Sequence, residues 1–218
     1  MTGAARVRVR PVTPQGVVDH VVERVLGALA ERGPDARLRV AVDGAPVTRP
    51  DVLADGLVAP LRAAGRPVLT VHAGDFLRPA SLRFERGRQD PRALYDDWLD
   101  VAAIAREVVD PLGADGSGRY LPSLWDPVRD RATRAPAVAA PPGAVLVLDG
   151  SLLLGRWLDL DLTVHLAVRP ATLERRTAAA EHWTLPAYDR YDADVGPEGV
   201  ADVVVRVDDP ARPALVVR

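Results

Sequence analysis

Apolar and polar positions follow two periods along this chain, and the switches between them outline its elements. Over 17–32 the residues Val18, Val21, Val22, Val25, Leu26 and Leu29 recur at helical spacing, and Gly33-Pro34 stops the run. Residues 38–42 make a short apolar strand that ends at Asp43-Gly44. A helix is predicted over 50–64, opened by Pro50, whose missing N–H costs nothing in a first turn, and closed by Gly65. A strand over 67–72 follows. Strand, glycine loop, helix and strand in that order make a βαβ unit, with parallel strands and a right-handed crossover.

Residues 78–111 begin polar and arginine-rich and turn helical, with Leu99, Ala102, Ala103, Arg106 and Val109 marking a helix that ends at Pro111. Residues 113–142 show little periodicity and much Gly, Pro and Arg; a short strand or hairpin is expected near 119–125 and 134–138. The run over 144–148 is continuously apolar, as a strand buried on both faces should be, and stops at Asp149-Gly150. Strands are predicted over 162–168 and 203–207 and a helix over 170–180. The expected fold is α/β: a doubly wound, mainly parallel five-stranded sheet flanked by helices. It is expected as a single domain over 1–218, with an N-terminal helical extension (1–37), an irregular insertion (113–142) and a shortened lid-like region (169–190).

Composition narrows the function classes. With 48% hydrophobic and 27% charged residues, the 218-residue chain can bury a core. A formal net charge of -2 argues against general affinity for nucleic acid or anionic membranes. The absence of cysteine excludes disulfides, thiolate catalysis and cysteine-ligated zinc. No apolar run approaches the roughly 20 residues of a membrane span, and residues 1–10 lack the core of a signal peptide. A cytoplasmic protein is expected, acting on a small molecule, with a homo-oligomer left open. All 28 basic residues are arginine, so no lysine serves as phosphate clamp, Schiff base or general base.

In an open parallel sheet, ligands bind beyond the carboxyl ends of the strands. Three strand ends here are polar: Asp43-Gly44, the segment from His72 to Phe76, and Asp149-Gly150. Aspartate is also a common strand terminator and helix cap. The four histidines show no metal-ligand spacing, Ser151 lies in no G-x-S-x-G elbow, and the stretch from Asp126 to Asp130 lacks the spacing of a calcium loop.

The order of several segments resembles the uridine kinase family of P-loop NTPases, in the form found in actinobacterial proteins. Val40-Ala41-Val42-Asp43-Gly44 before a helix is similar to that family's first strand and phosphate loop. Asp75-Phe76 with Arg78-Pro79 resembles its acidic segment after the second strand. Gly87, Asp90-Pro91, Tyr95 and Asp97 resemble its nucleoside-side region, Leu148-Asp149-Gly150 its acidic third-strand end, and Leu185-Pro186-Ala187-Tyr188 with Asp208-Asp209-Pro210 its C-terminal segment. The resemblance spans most of the chain from residue 38 onward. It implies an ATP- and Mg²⁺-dependent phosphotransferase acting on a hydroxyl of a nucleoside or related small molecule. Asp75 or His72 would be the base. Asp149 would act beside them and, with Asp51, hold Mg²⁺. Gly44, Thr48, Arg49, Asp51, Arg175 and Arg176 would meet the nucleotide, with Arg169 nearby. Arg78, Arg88, Tyr95, Asp97 and Trp98 would meet the substrate, among the further arginines Arg83 and Arg86. Tyr120 and Trp125 either stack on a ring or pack in the core or rim.

The sequence departs from that family at the chemistry itself. The family's loop reads G-x-x-x-x-G-K-[ST], with a lysine on the β/γ-phosphates and a hydroxyl on Mg²⁺. Here it reads Gly44-Ala45-Pro46-Val47-Thr48-Arg49-Pro50-Asp51, so only the first glycine fits. Pro50 removes a cation and an N–H, and Asp51 puts a negative charge where a triphosphate would lie. The family's proton-accepting acid stands two residues before the phenylalanine, where this chain has Gly74. Two readings follow: a rewired phosphate site in which Arg49 replaces the clamp, or a catalytically inactive kinase-like protein that binds a ligand or partner over a self-capped helix.

Overall fold

The computed structural model describes residues 8–217. In chain order the elements are β1 (Arg8–Pro11), α1 (Pro14–Arg32), β2 (Leu38–Gly44), α2 (Pro50–Ala63), β3 (Val68–His72), α3 (Ala80–Arg83), α4 (Pro91–Asp96) and α5 (Val101–Ile104). Then come β4 (Arg119–Tyr120), β5 (Trp125–Asp126), β6 (Arg131–Ala132), β7 (Val138–Ala139), β8 (Val145–Gly150), β9 (Leu162–Ala167), α6 (Pro170–Arg176), α7 (Leu185–Asp194), α8 (Pro197–Val200), β10 (Val203–Arg206) and β11 (Ala214–Val217).

The main sheet has the order β1-β11-β10-β9-β2-β8-β3. Strands β10, β9, β2, β8 and β3 run parallel, as expected from their apolar runs. Two antiparallel strands that the sequence reading did not foresee extend the β10 edge, β11 on β10 and β1 on β11. The expected helical extension over 1–37 thus contributes a strand as well as α1, and its first seven residues lie outside the described ones. Helix α1 starts as its sequence demands: Thr13 caps the Gly16 N–H at 3.0 Å and Pro14 occupies the first turn.

Alternation along β2 sends Val40 and Val42 to one face and Ala41 to the other. The first face packs with Val145, Val147 and Val164 under α1 and α2 through Val21, Val25, Leu29, Leu57 and Leu61. The second packs with Val71, Leu146 and Leu148 under Ala103, Ile104, Val108 and Val109. Full burial of each such Leu or Val contributes about 1.5–3 kcal/mol. The helix predicted to end at Pro111 is shorter as an α-helix and continues as a π turn over 105–109 and a 3₁₀ turn over 110–112.

The expected irregular insertion contains two small antiparallel ladders, β4 with β7 and, nested within them, β5 with β6. It is fastened beside the end of β3: Leu124 N–H donates to the Asp75 carbonyl at 3.0 Å, and Asp130 accepts from the Ala80 N–H at 2.8 Å and the Trp125 indole at 3.1 Å. Trp125 is thus spent on holding its own hairpin, and Tyr120 is buried. No helix among the described residues is long and apolar enough to cross a membrane.

Candidate active site

The chain leaves β2 in the centre of the sheet, visits β3 two places away, returns to β8 between them, and then crosses to β9 on the other side. This reversal is a topological switch point, and a ligand crevice is expected at the carboxyl ends of these strands. The three polar strand ends do meet there, since β2 and β3 both pair with β8.

At β2, Asp43 is fully buried. One carboxylate oxygen accepts the Leu153 N–H at 2.9 Å; the other takes the His165 Nδ1 contact at 2.8 Å and the Tyr191 hydroxyl at 3.0 Å. The Tyr191 oxygen in turn accepts the Leu154 N–H at 2.9 Å. Burial, and next the Asp43 charge, push the Tyr191 hydroxyl far up, so it stays protonated and donates. The sequence reading marked Asp43 only as a strand end and missed His165 and Tyr191. The signal was a histidine in the middle of a mainly apolar strand, and the parallel register sets His165 opposite Asp43.

The loop after β2 does not form an anion cradle. Pro46–Thr48 is a 3₁₀ turn in which the Thr48 N–H bonds to the Ala45 carbonyl at 2.8 Å and the Arg49 N–H to the Pro46 carbonyl at 3.1 Å. The Thr48 hydroxyl folds back onto the same Ala45 carbonyl at 2.7 Å. Gly44 is required by this closeness, because a Cβ there would stand 2.4 Å from the Thr48 hydroxyl. Arg49 takes the left-handed conformation (φ 58°, ψ 60°) that the family pattern gives to glycine. Its exposed guanidinium clasps Asp51 at 2.6 Å, which holds the Asp51 carboxyl below its usual range. Of eight loop residues, two prolines have no N–H and the Thr48 and Arg49 N–H groups are spent inside the turn. Arg176 donates to the Val47 carbonyl and, at 2.9 Å, to the Val207 carbonyl, so this lid-region cation ties the loop to the last parallel strand. Arg175 reaches the Thr172 hydroxyl at 3.5 Å, and Arg169 pairs with Asp208 at 3.1 Å. These residues do not fit a nucleoside triphosphate.

At β3 and β8, His72 Nδ1 lies 2.6 Å from Asp149 Oδ1, with the imidazole half exposed and the carboxylate side chain 8% exposed. Burial raises the Asp149 carboxyl, the nearby His72 opposes this, and the charges of Asp51 and Asp55 add to it. Asp75 sits in a 3₁₀ turn (Ala73–Phe76), its carboxyl also raised by burial, with His72 opposing and Asp126 adding. No group of three or more metal-binding side chains forms among the described residues; Asp51 and Asp149 are near enough that the Asp51 charge acts on the Asp149 carboxyl.

The raised Asp149 carboxyl carries a stability cost that grows with pH. Below the unfolded pKa, near 3.9, both states hold the proton and the site is neutral to folding. As pH rises past that value the unfolded state ionises more readily, and stability falls. Asp149→Asn is therefore expected to melt higher than the parent at pH 7, with the difference vanishing towards about pH 3.5. A constant difference across that range in paired thermal melts would contradict it.

Next to these strand ends lies a cavity of about 290 Å³ lined by Pro46, Ala73, Gly74, Leu77, Leu94, Trp98, Leu99, Gly150, Ser151, Leu152, Arg156 and Tyr188. Of the expected substrate residues only Trp98 reaches it. Trp98 packs tilted against Trp183 and edge-on to Phe84 and donates its indole N–H to the Arg83 carbonyl. Arg88 lies over Phe84, Arg83 is buried, and Arg78 and Arg86 flank Asp97 at 3.8 and 3.7 Å. Tyr95 is buried with the guanidinium groups of Arg156 and Arg190 on its ring. The polar lining comes from residues the sequence reading did not place there. Ser151 donates to the Gly44 carbonyl at 2.7 Å and bonds Tyr188, whose hydroxyl burial pushes up to about 12. Arg156 donates to the Leu152 and Tyr95 carbonyls.

No family model matches the sequence, and no curated protein matches it. Solved structures do. A possible uridine kinase from Bacillus stearothermophilus superposes with TM-score 0.70 at 21% identity, over 87% of this chain and 97% of that one. A protein assigned as a fructose transport system kinase from Silicibacter sp. TM1040 gives 0.59 at 28% identity, over 84% and 88%. D-glycerate 3-kinase from Cryptococcus neoformans var. grubii gives 0.54 at 16%, over 83% and 80%. With β2 central, the loop and α2 behind it and the sheet order found here, the fold of this chain is the P-loop kinase fold.

Proposed function

We propose that this chain binds a small hydroxyl-bearing molecule in the cleft beside β3 and β8, and does not turn over ATP through its phosphate loop. One observation carries this reading: the loop satisfies itself. Half of its backbone donors are absent or bonded within the turn, Arg49 clasps Asp51 instead of facing a ligand, and Arg176 is spent on backbone carbonyls. Losing a charge-assisted hydrogen bond costs about 1.5–3 kcal/mol, so a few such losses weaken nucleotide binding at least ~100-fold. The similar structures are named for kinases of uridine, fructose transport and D-glycerate, which supports a hydroxylated small molecule as the ligand class.

A second reading, phosphotransfer to such a molecule, draws support from the His72–Asp149 pair beside the cleft, a histidine held by a carboxylate and half exposed, an arrangement that can accept a hydroxyl proton. Thermal shift with millimolar Mg-ATP separates the two. The expected result is no stabilisation and no phosphorylated product from uridine, fructose or D-glycerate. A shift approaching the ~2.7 kcal/mol that saturation at 100 Kd adds, or any such product, would sink the first reading.

A further inference from the structure

Arg156 lines the cleft without any carboxylate within ion-pair distance among the described residues, whereas four other arginines of this region are answered. Arg78 and Arg86 share Asp97, Arg83 meets Asp130, and Arg190 meets Asp96 and Asp194. Arg156 has only neutral partners: the Leu152 and Tyr95 carbonyls and the Tyr95 ring, with its carbon 4.5 Å from the ring centroid. These contacts fix the guanidinium against one wall with no carboxylate bonded to it among the described residues.

The rest of the lining sharpens the point. Leu77, Leu94, Leu99, Leu152 and Ala73 are apolar, and Trp98 adds aromatic surface. The Ser151 and Tyr188 hydroxyls are neutral, and Tyr188 is held so by burial. A cation in a mostly apolar cavity attracts an anion more strongly than it would in water, because the low surrounding dielectric weakens screening. A guanidinium also matches the planar oxygens of a carboxylate or phosphate. At about 290 Å³ the space sits near the lower end of ligand pockets, roughly 300–1,000 Å³, which suits a molecule of sugar size.

We infer that the ligand of this cleft is an anion, a small hydroxylated acid or phosphate ester whose charged group is held by Arg156, and not a neutral nucleoside or sugar. The inference rests on the cleft being the ligand site, as proposed above, and names the ligand's charge class. Arg156 carries no mark in the sequence, because it lies six residues past the end of β8 in a segment with no repeat or motif.

Matched probes test it. Calorimetric titration of the full chain would compare D-glycerate with glycerol, D-gluconate with D-sorbitol, and uridine 5′-monophosphate with uridine. In at least one pair the anionic member should bind about tenfold or more tightly. Arg156→Gln should abolish the preference and Arg156→Lys retain part of it. Because the comparison within each pair is made on the parent protein, it stands even if a variant folds poorly. Equal or tighter binding of the neutral members, no binding by any probe, or a preference unchanged in a well-folded Arg156→Gln protein overturns the inference. Turnover of Mg-ATP would instead sink the closed-loop reading and leave an anion preference standing, so the two failures are distinguishable.

Discussion

Asp43→Ala is expected to lower stability by about 3–5 kcal/mol, because each buried hydrogen-bonding group left without its partner costs about 1–3 kcal/mol. The substitution strands three donors at once: the His165 ring, the Tyr191 hydroxyl and the Leu153 N–H. Each kcal/mol shifts the melting point of a domain this size by about 2–4 °C, so a fall of roughly 6–20 °C is predicted in a thermal melt. Asp43→Asn is not a mild replacement. Its amide oxygen can still accept from Leu153, but its NH₂ then faces two groups that both donate to the same carboxylate oxygen. Most of the loss should therefore persist. The damage should also reach the cleft, because Leu153 and Leu154 follow Ser151 and Leu152 in its wall. Faster hydrogen exchange at these two amides is the local readout. A loss below about 1 kcal/mol in denaturant titration would show that the network is replaceable by water or by a shift of β9.

The parallel core was legible in the sequence because burial on both faces forces continuous apolar runs, and the runs at Val40, Val147, Val164 and Val204 survive any choice of connections. The edge strands were not, since Arg8–Pro11 is exposed at every position and its pairing depends on β11, some two hundred residues away. Site residues divide in the same way. His72, Asp149 and the loop from Gly44 to Asp51 were visible as strand-end chemistry. Ser151, Arg156 and Tyr188 meet only through tertiary structure, and nothing in the local pattern of Arg156 separates it from the other arginines. The lid-region arginines show the converse error. The resemblance set Arg176 among the nucleotide-facing residues; it does lie against the loop, but its use on the Val47 and Val207 carbonyls depends on where β10 ends.

Rebuilding the loop should create the nucleotide affinity that the parent lacks. The triple variant Arg49→Gly, Pro50→Lys, Asp51→Thr restores a cation, a backbone donor and a hydroxyl, and removes a negative charge from the first turn of α2. Each change alone is expected to do little. Pro50→Lys leaves the Arg49 clasp on Asp51 in place, and Asp51→Thr frees Arg49 but keeps Pro50, with neither cation nor N–H, in the first turn of α2. Arg49→Gly removes a side chain from a left-handed position that costs an L-residue about 1–2 kcal/mol, so the variant should not lose stability from that change. With Mg-ATP at 100 times Kd the triple variant should gain about 2.7 kcal/mol, roughly 5–10 °C in a melt, while the parent stays unmoved. A triple variant that stays blind to Mg-ATP would shift the cause away from these three side chains. It would then lie in the backbone turn over 46–48 and in the Arg176 tie to Val47, which no substitution at 49–51 releases. Adding Arg176→Ala to the triple variant decides between them, because only the second cause predicts that binding appears at that step.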